Sequence, residues 1–325
     1  MSAPTITELP PPPSGKCGWP WTEGSPQLRA VMPNGSAWPK ISIITPSLNQ
    51  GQFIEETIRS VLLQGYPNLE YSIIDGGSTD GSVDLIKKYK QWLSYWVSEQ
   101  DRGQSHAINK GIKRSTGDIV AWLNSDDIYE PSCFSIVSEE MFSKNLLKDT
   151  ILFGDCNFIS RSGEYLFKNP DEVFSRRKLI EYWRGYYIPQ PSVFIPGHIF
   201  RDNLLNEDIN YVMDWDLWLR LSQNYKYHHL NTSLSNFRVH NASKWGKEKE
   251  HFFLEHKRFV HLHHKNYLFK LQFQLSYVLW KLRKFYHNVI RKLFLKSLLF
   301  FMGDDRYQRL KYRKKNIFPY LSKKK

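Results

Sequence analysis

The chain has 325 residues with a net charge of +13, and 41% of its residues are hydrophobic. This is enough apolar material for one sizeable domain with an appendage, or for two small domains. The charge is concentrated at one end: residues 251–325 hold 19 Lys or Arg against three acidic residues, which leaves a net charge of −3 for the first 250. The distribution excludes a uniformly basic protein and indicates a near-neutral body with a basic tail.

Three cysteines, Cys17, Cys133 and Cys156, are odd in number and lack the spacing of metal ligands. This usage favours a reducing compartment. The N-terminus shows no charged-then-apolar signal pattern, and no stretch reaches the ~18 uninterrupted apolar residues of a membrane span. We therefore expect a cytoplasmic protein, either free or peripheral to a membrane.

The first half of the chain alternates strands and helices. Residues 1–38 are rich in Pro, Gly and Ser and are predicted to be a disordered lead. Strands are then predicted at residues 41–44, 71–74, 92–97 and 119–123, with helical apolar spacing between them. Such alternation predicts an α/β domain with a mainly parallel sheet and right-handed crossovers.

Beyond Pro131 the predicted elements become mixed. A helix starts near Pro131, and residues 151–154 and 157–167 are predicted as a strand and a hairpin. Residues 214–223 form a short amphipathic helix. Residues 227–230 and 234–238 are predicted as two further strands.

The strongest local signal is the run from residue 119 to 127, in which five apolar residues end abruptly in Asn124-Ser125-Asp126-Asp127. Two carboxylates beyond the carboxyl end of a buried strand repel each other, and that end of an open α/β sheet is where ligands bind. A divalent metal carrying a phosphate suits such hard oxygen ligands. The alternative is an ordinary turn in which Asp126 or Asp127 caps the next helix.

Two other loops follow predicted strands and are expected at the same edge of the sheet. They are residues 46–49 and residues 75–80, where Asp75 could accept a hydrogen bond from a base N–H and Gly76 and Gly77 would let a ligand approach the backbone. A plain loop with a helix cap is the alternative for residues 75–81. No G-x-G-x-x-G follows either early strand, which disfavours a dinucleotide fold.

Taken together, four motifs resemble the family 2 glycosyltransferases of the GT-A fold, over about residues 40–240. The motifs are Thr-Pro-Ser-Leu-Asn at 45–49, Asp-Gly-Gly-Ser-Thr-Asp at 75–80, Asp-Arg-Gly-Gln at 101–104 and Trp-Leu-Asn-Ser-Asp-Asp at 122–127. The resemblance implies a GT-A fold, Rossmann-like, with a mixed, mainly parallel sheet flanked by helices. It also implies an inverting transfer of sugar from a nucleotide-diphosphate donor, with UDP favoured, assisted by Mg²⁺ or Mn²⁺.

The resemblance carries the donor site over to this chain position by position. Pro46 and Asp75 would line the nucleobase, Arg102 would lie near the base or the diphosphate, and Asp126 and Asp127 would hold the ribose and the metal. The full implied nucleotide-sugar site is Pro46, Ser47, Asn49, Asp75, Arg102, Asn124 and Asp126. Asn124 stands where the family usually has an acid, so which aspartate ligates the metal directly stays open.

An inverting transfer needs a base for the acceptor hydroxyl. The family places a Glu-Asp pair before a helix, and here Asp214 matches the Asp while Met213 replaces the Glu. Asp216 is the reserve candidate, and a role for Asp214 as the helix N-cap is the alternative. The late Arg-x-His element ends in His240, which the resemblance makes a third metal ligand or a donor to the diphosphate.

The acceptor side is expected in the aromatic and Pro-rich segment 186–192, which suits a binding loop. Gln190, Pro191 and Ser192 are the candidates there, together with Trp215 beside the expected base. A glycan or lipid-linked acceptor is implied, since the resemblance points to enzymes of bacterial surface polysaccharide synthesis.

The basic tail holds ten Lys or Arg and no acid between residues 256 and 303, alongside many large apolar residues. Amphipathic helices with one cationic side are typical of anionic membrane surfaces. Packing on the catalytic domain is the alternative, and nucleic-acid binding is not expected because no recognisable module is present. The predicted organisation is a lead at 1–38, a GT-A domain at 39–245 and a basic helical tail at 246–325, on the inner face of the membrane.

Two other functions are alternatives to glycosyl transfer. A nucleotidyltransferase of the same fold should carry a Gly-rich loop with Lys or Arg after the first strand, which residues 48–51 lack. A catalytically inactive, membrane-associated adaptor remains open because Asn124 and Met213 depart from the family pattern.

Overall fold

The computed structural model describes residues 3–169, 174–180 and 188–240, and also Glu255, Leu275, Val278 and Leu282. The chain forms two compact units, residues 1–260 and 261–325. The predicted start of the tail at residue 246, and nearly all of the tail itself, lie outside the described residues.

The first half is built as the alternation predicts. Its elements are β1 (Ile41–Ser47), α1 (Ile54–Leu62), β2 (Leu69–Asp75), α2 (Ser82–Lys88), β3 (Tyr95–Ser98), α3 (Gln104–Arg114) and β4 (Ile119–Trp122). β1 pairs in parallel with β2 and with β4, and β2 pairs in parallel with β3. The carboxyl ends of these strands therefore share one edge of the sheet.

The second half extends the same sheet with mixed pairing. Its elements are β5 (Ile128–Tyr129), α4 (Cys133–Ser143), β6 (Thr150–Ile159), β7 (Tyr165–Lys168), α5 (Arg176–Ile180), β8 (Val193–Pro196), α6 (Gly197–Asp202), α7 (Met213–Leu221) and β9 (Lys226–Arg238). Among the described strands the order is β3-β2-β1-β4-β8-β6-β9-β5, with β7 beside β6. β8 is antiparallel to both β4 and β6, and β9 is parallel to β6.

β9 is one long strand where the sequence predicts two. Its pairing with β6 shifts register on either side of Asp155. The shifts leave the polar residues 231 and 232, and then Leu234, without a partner in β6, so the strand continues through a stretch whose composition resembles a turn. The hairpin predicted at residues 157–167 is confirmed as β6 and β7.

The sheet has an apolar layer on each face. One layer joins α1 and α4 to the sheet through residues such as Ile58 and Phe134. The other joins α3, α6 and α7, and in it the Trp122 ring of β4 stacks on the Trp218 ring of α7 with centroids 5.6 Å apart. α7, which carries the predicted base, is thus fixed against the strand that ends in the Asn-Ser-Asp-Asp turn.

The predicted disordered lead is wrong for residues 3–38, because these residues pack on the domain. Leu9, Met32 and Trp38 are buried in the apolar core. The buried Arg59 of α1 donates to the carbonyl oxygens of Pro10, Pro20 and Trp21 at 2.8–2.9 Å. Composition predicted disorder because Pro, Gly and Ser dominate the segment, but a few large apolar side chains and one buried arginine hold it.

Candidate active site

The loops after β1 and β2 form one hydrogen-bonded unit. The backbone N–H of Asn49 donates to Ser78 Oγ at 2.7 Å, and Asn49 Oδ1 accepts from the Thr79 N–H at 2.9 Å. Asn49 has φ +52°, a left-handed conformation that asparagine tolerates. The Gly51 N–H donates to Asp80 Oδ2 at 2.8 Å, and a Cβ at Gly51 would lie 2.9 Å from the Asp80 carbonyl oxygen. The predicted convergence of these two loops is therefore present.

Asp75 is fully buried at the end of β2 and orders its own loop. Its Oδ2 accepts from the N–H groups of Gly77 and Ser78 and from Ser98 Oγ, at 2.7–3.1 Å. Its Oδ1 accepts from Ser78 Oγ at 2.6 Å. On β1, Pro46 and Ser47 lie opposite Ile74 and Asp75 of β2, so three residues of the predicted nucleotide-sugar site are neighbours at the same edge.

Asn124 is the centre of an amide network. Its Oδ1 accepts from Gln104 Nε2 at 2.7 Å, and its Nδ2 donates to Gln190 Oε1 at 3.0 Å and to Asp127 Oδ2 at 3.3 Å. Gln190 in turn donates to the Trp122 carbonyl oxygen at 2.8 Å. An aspartate at position 124 could not donate to Gln190 and Asp127, so this network explains why an amide replaces the usual acid here.

Asp126 and His240 meet across the site. His240 Nε2 lies 2.9 Å from Asp126 Oδ2, and the imidazole packs against the Phe53 ring with centroids 4.8 Å apart. The Asp126 side chain keeps 16% of its surface exposed. The structure thus brings together two residues that are 114 positions apart in the chain.

Asp127 is buried and internally bonded. Its Oδ1 accepts from the Arg238 N–H at 2.9 Å, and its Oδ2 from Asn124. Burial raises the pKa of Asp127 well above the usual range of an aspartate, and the charge of Asp126 raises it further, against the opposing bonds from Arg238 and Asn124. A carboxyl group in this position is a framework element rather than an open metal ligand, which favours Asp126 for that role.

Arg238 connects these residues to α1. The buried guanidinium lies 3.0 Å from Glu56 Oε2, and its Nε donates to the Asp126 carbonyl oxygen at 2.9 Å. It also lies over the Phe53 ring at 5.1 Å. In the sequence Arg238 stands out only as part of the Arg-x-His element, and no pattern there points to Glu56 as its partner.

No group of three His, Cys, Asp or Glu side chains suited to a metal occurs within the described part of the chain. Asp126 and His240 nonetheless offer one carboxylate oxygen and one imidazole nitrogen at the same point, and both types ligate divalent cations. This pair fits a metal that takes its remaining ligands from a bound diphosphate and water.

Arg102 lies on the surface beside α3. Its Nη2 pairs with Glu207 Oε2 at 2.5 Å, and 72% of its side chain is exposed. Glu207 also accepts from Asn109 Nδ2 at 3.2 Å. In this structure Arg102 therefore ties α3 to the segment that precedes α7.

Asp214 occupies the first turn of α7, half-buried, and its Oδ1 accepts from the Trp215 N–H at 2.8 Å. Met213 Sδ accepts from Ser105 Oγ at 2.9 Å, so the start of α7 rests on the start of α3, where Gln104 holds Asn124. Asp216 instead bonds Arg220 Nε at 2.8 Å within α7, which favours Asp214 over the reserve candidate.

The predicted acceptor-side residues are mostly buried. Ser192 Oγ donates to the Asp155 carbonyl oxygen at 2.7 Å and pairs with Ser235 Oγ at 2.6 Å. Trp215 Nε1 donates to the Leu179 carbonyl oxygen at 2.7 Å. Pro191 is buried in the same short turn as Gln190. Gln190 is hydrogen-bonded to Asn124 of the predicted nucleotide-sugar site. Most of the segment before these residues, 181–187, lies outside the described part of the chain.

Residues 42–188 match the family model described as Glycosyl transferase family 2. This region is a family 2 glycosyltransferase domain. The match confirms the family that the four motifs predict. The domain's fold is GT-A, with a mainly parallel sheet flanked by helices.

Relatives of the glycosyltransferase domain are found in several bacteria. An uncharacterized glycosyltransferase of Rickettsia typhi is 32% identical over 214 residues, which cover 63% of this chain and 65% of the relative. A candidate teichuronic acid biosynthesis glycosyltransferase of Bacillus subtilis, TuaG, is 40% identical over 92 residues, covering 27% of this chain and 36% of that protein. The chain thus spans less than two thirds of each of these relatives.

Solved structures share the fold at low sequence identity. TarS of S. aureus, residues 1–349 in complex with UDP-GlcNAc, aligns with a TM-score of 0.52 and 16% identity, covering 68% of this chain and 65% of that one. A mannosyltransferase of Pyrobaculum calidifontis in complex with GDP-Man and Mn²⁺ aligns with a TM-score of 0.52 and 16% identity, covering 86% and 80%. Both likenesses concern the fold alone.

Proposed function

We propose that this protein is an active inverting glycosyltransferase that moves a sugar from a nucleotide-diphosphate donor to a hydroxyl of a glycan or lipid-linked acceptor. The observation that carries the proposal is the contact between Asp126 and His240 at 2.9 Å, at the edge where the loops after β1, β2 and β4 meet. The domain's membership of family 2 supports the reaction class.

The donor would lie along that edge. Its base would rest against the loops ordered by Asn49 and Asp75, and its ribose and diphosphate would reach Asn124 and Asp126. The solved structures of TarS with UDP-GlcNAc and of the mannosyltransferase with GDP-Man support a nucleotide sugar as the donor class. A UDP-sugar is the first candidate.

Asp126 and His240 would hold a divalent cation, Mg²⁺ or Mn²⁺, against the diphosphate. When bound, the metal would neutralise charge that develops on the leaving nucleoside diphosphate. Asp127 would keep Asn124 and the Arg238 backbone in place through its two hydrogen bonds. The sequence left the choice between the two aspartates open, and the burial of Asp127 favours Asp126.

The transfer itself is a single displacement. The acceptor oxygen forms a bond to the anomeric carbon as the bond from that carbon to the diphosphate oxygen breaks. The acceptor proton passes to Asp214, which acts as the general base, and the bond electrons leave with the diphosphate.

Release of UDP from UDP-sugars in Mn²⁺ tests the donor and metal assignments. We expect turnover with one or more donors in the wild type and a loss of about 100-fold or more in Asp126→Ala, because the metal loses its carboxylate ligand. Asp84→Ala, which removes an 83% exposed carboxylate on α2, should behave as wild type. A wild type that releases no nucleotide from any donor supports the inactive adaptor instead, and full activity in Asp126→Ala refutes the metal site.

The basic tail would bring the enzyme to an anionic membrane on its cytoplasmic face. Leu275, Val278 and Leu282 are helical and are 51–56% exposed. Their spacing of three and four residues places them on one side of a helix. We propose that this apolar side attaches to the membrane surface. No helix among the described residues is long and apolar enough to cross a membrane.

Sedimentation with vesicles tests this attachment. We expect the full chain to bind vesicles that contain phosphatidylglycerol and to lose at least tenfold in binding when Leu275, Val278 and Leu282 are all changed to Gln. Each buried Leu or Val side chain contributes about 1.5–3 kcal/mol, while the cations keep their attraction of ~1 kcal/mol each. Neutral phosphatidylcholine vesicles serve as the control. Unchanged binding by the triple variant would show that this face does not contact lipid.

A further inference from the structure

Glu255 lies beyond β9 in the sequence, and its carboxylate reaches back to the segment that leads into α7. Oε1 accepts from the Asn210 N–H at 2.7 Å, and Oε2 accepts from the Val212 N–H at 3.0 Å and from the Tyr211 N–H. Three consecutive backbone donors therefore converge on one carboxylate. Hydrogen bonds of this kind, from N–H groups to an ionised acceptor, are stronger than neutral ones.

The start of α7 lacks a side-chain cap of the usual kind. Val212 is the N-cap residue, and it makes no side-chain capping hydrogen bond, since valine has no acceptor. Glu255 supplies the missing acceptor from a position 43 residues downstream. Its negative charge also lies at the end of the helix where the dipole is positive. Glu255 thus fixes the direction in which the chain enters α7.

The same short segment also contacts α3. Ser105 Oγ lies 3.2 Å from the Ile209 carbonyl oxygen and 2.9 Å from Met213 Sδ, and these two acceptors share its single hydroxyl proton. The neighbouring Gln104 donates to Asn124 in the donor site. Residues 209–213 therefore contact both the start of α3 and the carboxylate of Glu255, and Asp214 follows directly in the chain.

We propose that Glu255 is a positioning residue for the transfer step: it holds the first turn of α7 so that Asp214 meets the acceptor hydroxyl. The proposal rests on the proposed function, in which Asp214 is the base. In this proposal Glu255 acts through the backbone N–H groups of residues 210–212. A displaced base lowers turnover because a misplacement of ~1 Å can cost about 100-fold in rate.

Steady-state kinetics of full-length variants test the proposal. We expect Glu255→Ala to lower kcat by about 10- to 100-fold, with the dissociation constant for UDP and the KM for the donor within twofold of wild type. Glu255→Gln keeps one acceptor oxygen and loses the charge, so its kcat should lie between those of the wild type and Glu255→Ala. Glu139→Gln, an exposed acid on α4, is the matched control. Combining Glu255→Ala with Asp214→Asn should lower kcat no further than Asp214→Asn alone, since both changes act on the same group.

The outcomes distinguish the positioning role of Glu255 from the proposed function on which it rests. If turnover is lost in Asp214→Asn but kept in Glu255→Ala, the positioning role of Glu255 is overturned and the proposed function is not. A joint fall of kcat, UDP affinity and melting temperature in Glu255→Ala also overturns it, because the contact would then be structural only. A wild type without turnover, or an Asp214→Asn variant with full turnover, overturns the proposed function and this inference together.

Discussion

Asp214→Asn is expected to abolish sugar transfer while leaving the donor site intact. The amide has nearly the shape of the carboxylate, and it keeps the oxygen that accepts from the Trp215 N–H at 2.8 Å. It cannot take the proton of the acceptor hydroxyl, so the base contribution, typically 10²- to 10⁴-fold, is lost. We therefore expect kcat for transfer to fall by about 1,000-fold, with the dissociation constants for UDP and Mn²⁺ unchanged.

Two further variants make this result specific. Asp216→Asn weakens an ion pair with Arg220 inside α7 and should lower stability modestly, with transfer largely kept. Asp202→Asn, at the exposed end of α6, should have no effect on either quantity. If Asp214→Asn transfers sugar at the wild-type rate, or if Asp216→Asn is the variant that loses it, the base has been assigned to the wrong aspartate.

The first half of the domain could be predicted from sequence because its signals are local. Strands such as β4 are continuous apolar runs with a sharp polar end, and parallel strands place all such ends at one edge. The neighbourhood of Asn49, Asp75 and Asn124 follows from that rule alone. β9 is an exception, since its register shifts beside Asp155 depend on pairing with β6 rather than on its own composition.

The wrong or missing parts of the prediction depend on contacts between residues far apart in the chain. Arg59 is the one basic residue of α1 and belongs to a residue type that is mostly exposed, yet it is fully buried. Glu255 lies in a segment whose basic composition suggested only a tail. In both residues a single charged side chain satisfies several backbone groups of another segment, and composition carries no trace of such a partner.

Asn124 shows how a departure from a motif can be explained only by structure. In the sequence, an asparagine at this position removes an anionic ligand, and this weakens the prediction of a metal site. In the structure its amide donates to Gln190 and Asp127 and accepts from Gln104, so all three contacts use the chemistry that distinguishes Asn from Asp. The residue is therefore suited to joining α3, β4 and the Gln190 turn.

Arg59→Leu is expected to release residues 3–38 from the domain and to lower its stability. The guanidinium is fully buried and donates to three lead carbonyl oxygens, with a further contact to Tyr89 Oη at 3.2 Å. Leucine fills the space but offers no donors, and each buried acceptor left without a partner costs about 1–3 kcal/mol. We expect a loss of about 3–5 kcal/mol in the free energy of unfolding, which lowers the melting temperature by roughly 6–20 °C in a domain of this size.

Thermal unfolding and limited trypsin digestion measure this effect together. Arg59→Lys keeps a charge but not the planar fork of the guanidinium, so it should lose part of the stability. Arg29→Ala, which changes an exposed arginine of the lead itself, should lose none.

Release of the lead should also affect the donor site, because Glu56 of α1 contacts Arg238 and the flanking Phe53 contacts His240. We therefore expect weaker Mn²⁺ and UDP binding in Arg59→Leu. If the lead stays resistant to trypsin and the melting temperature moves by less than about 2 °C, its apolar side chains rather than Arg59 hold it, and α1 is supported independently of the lead.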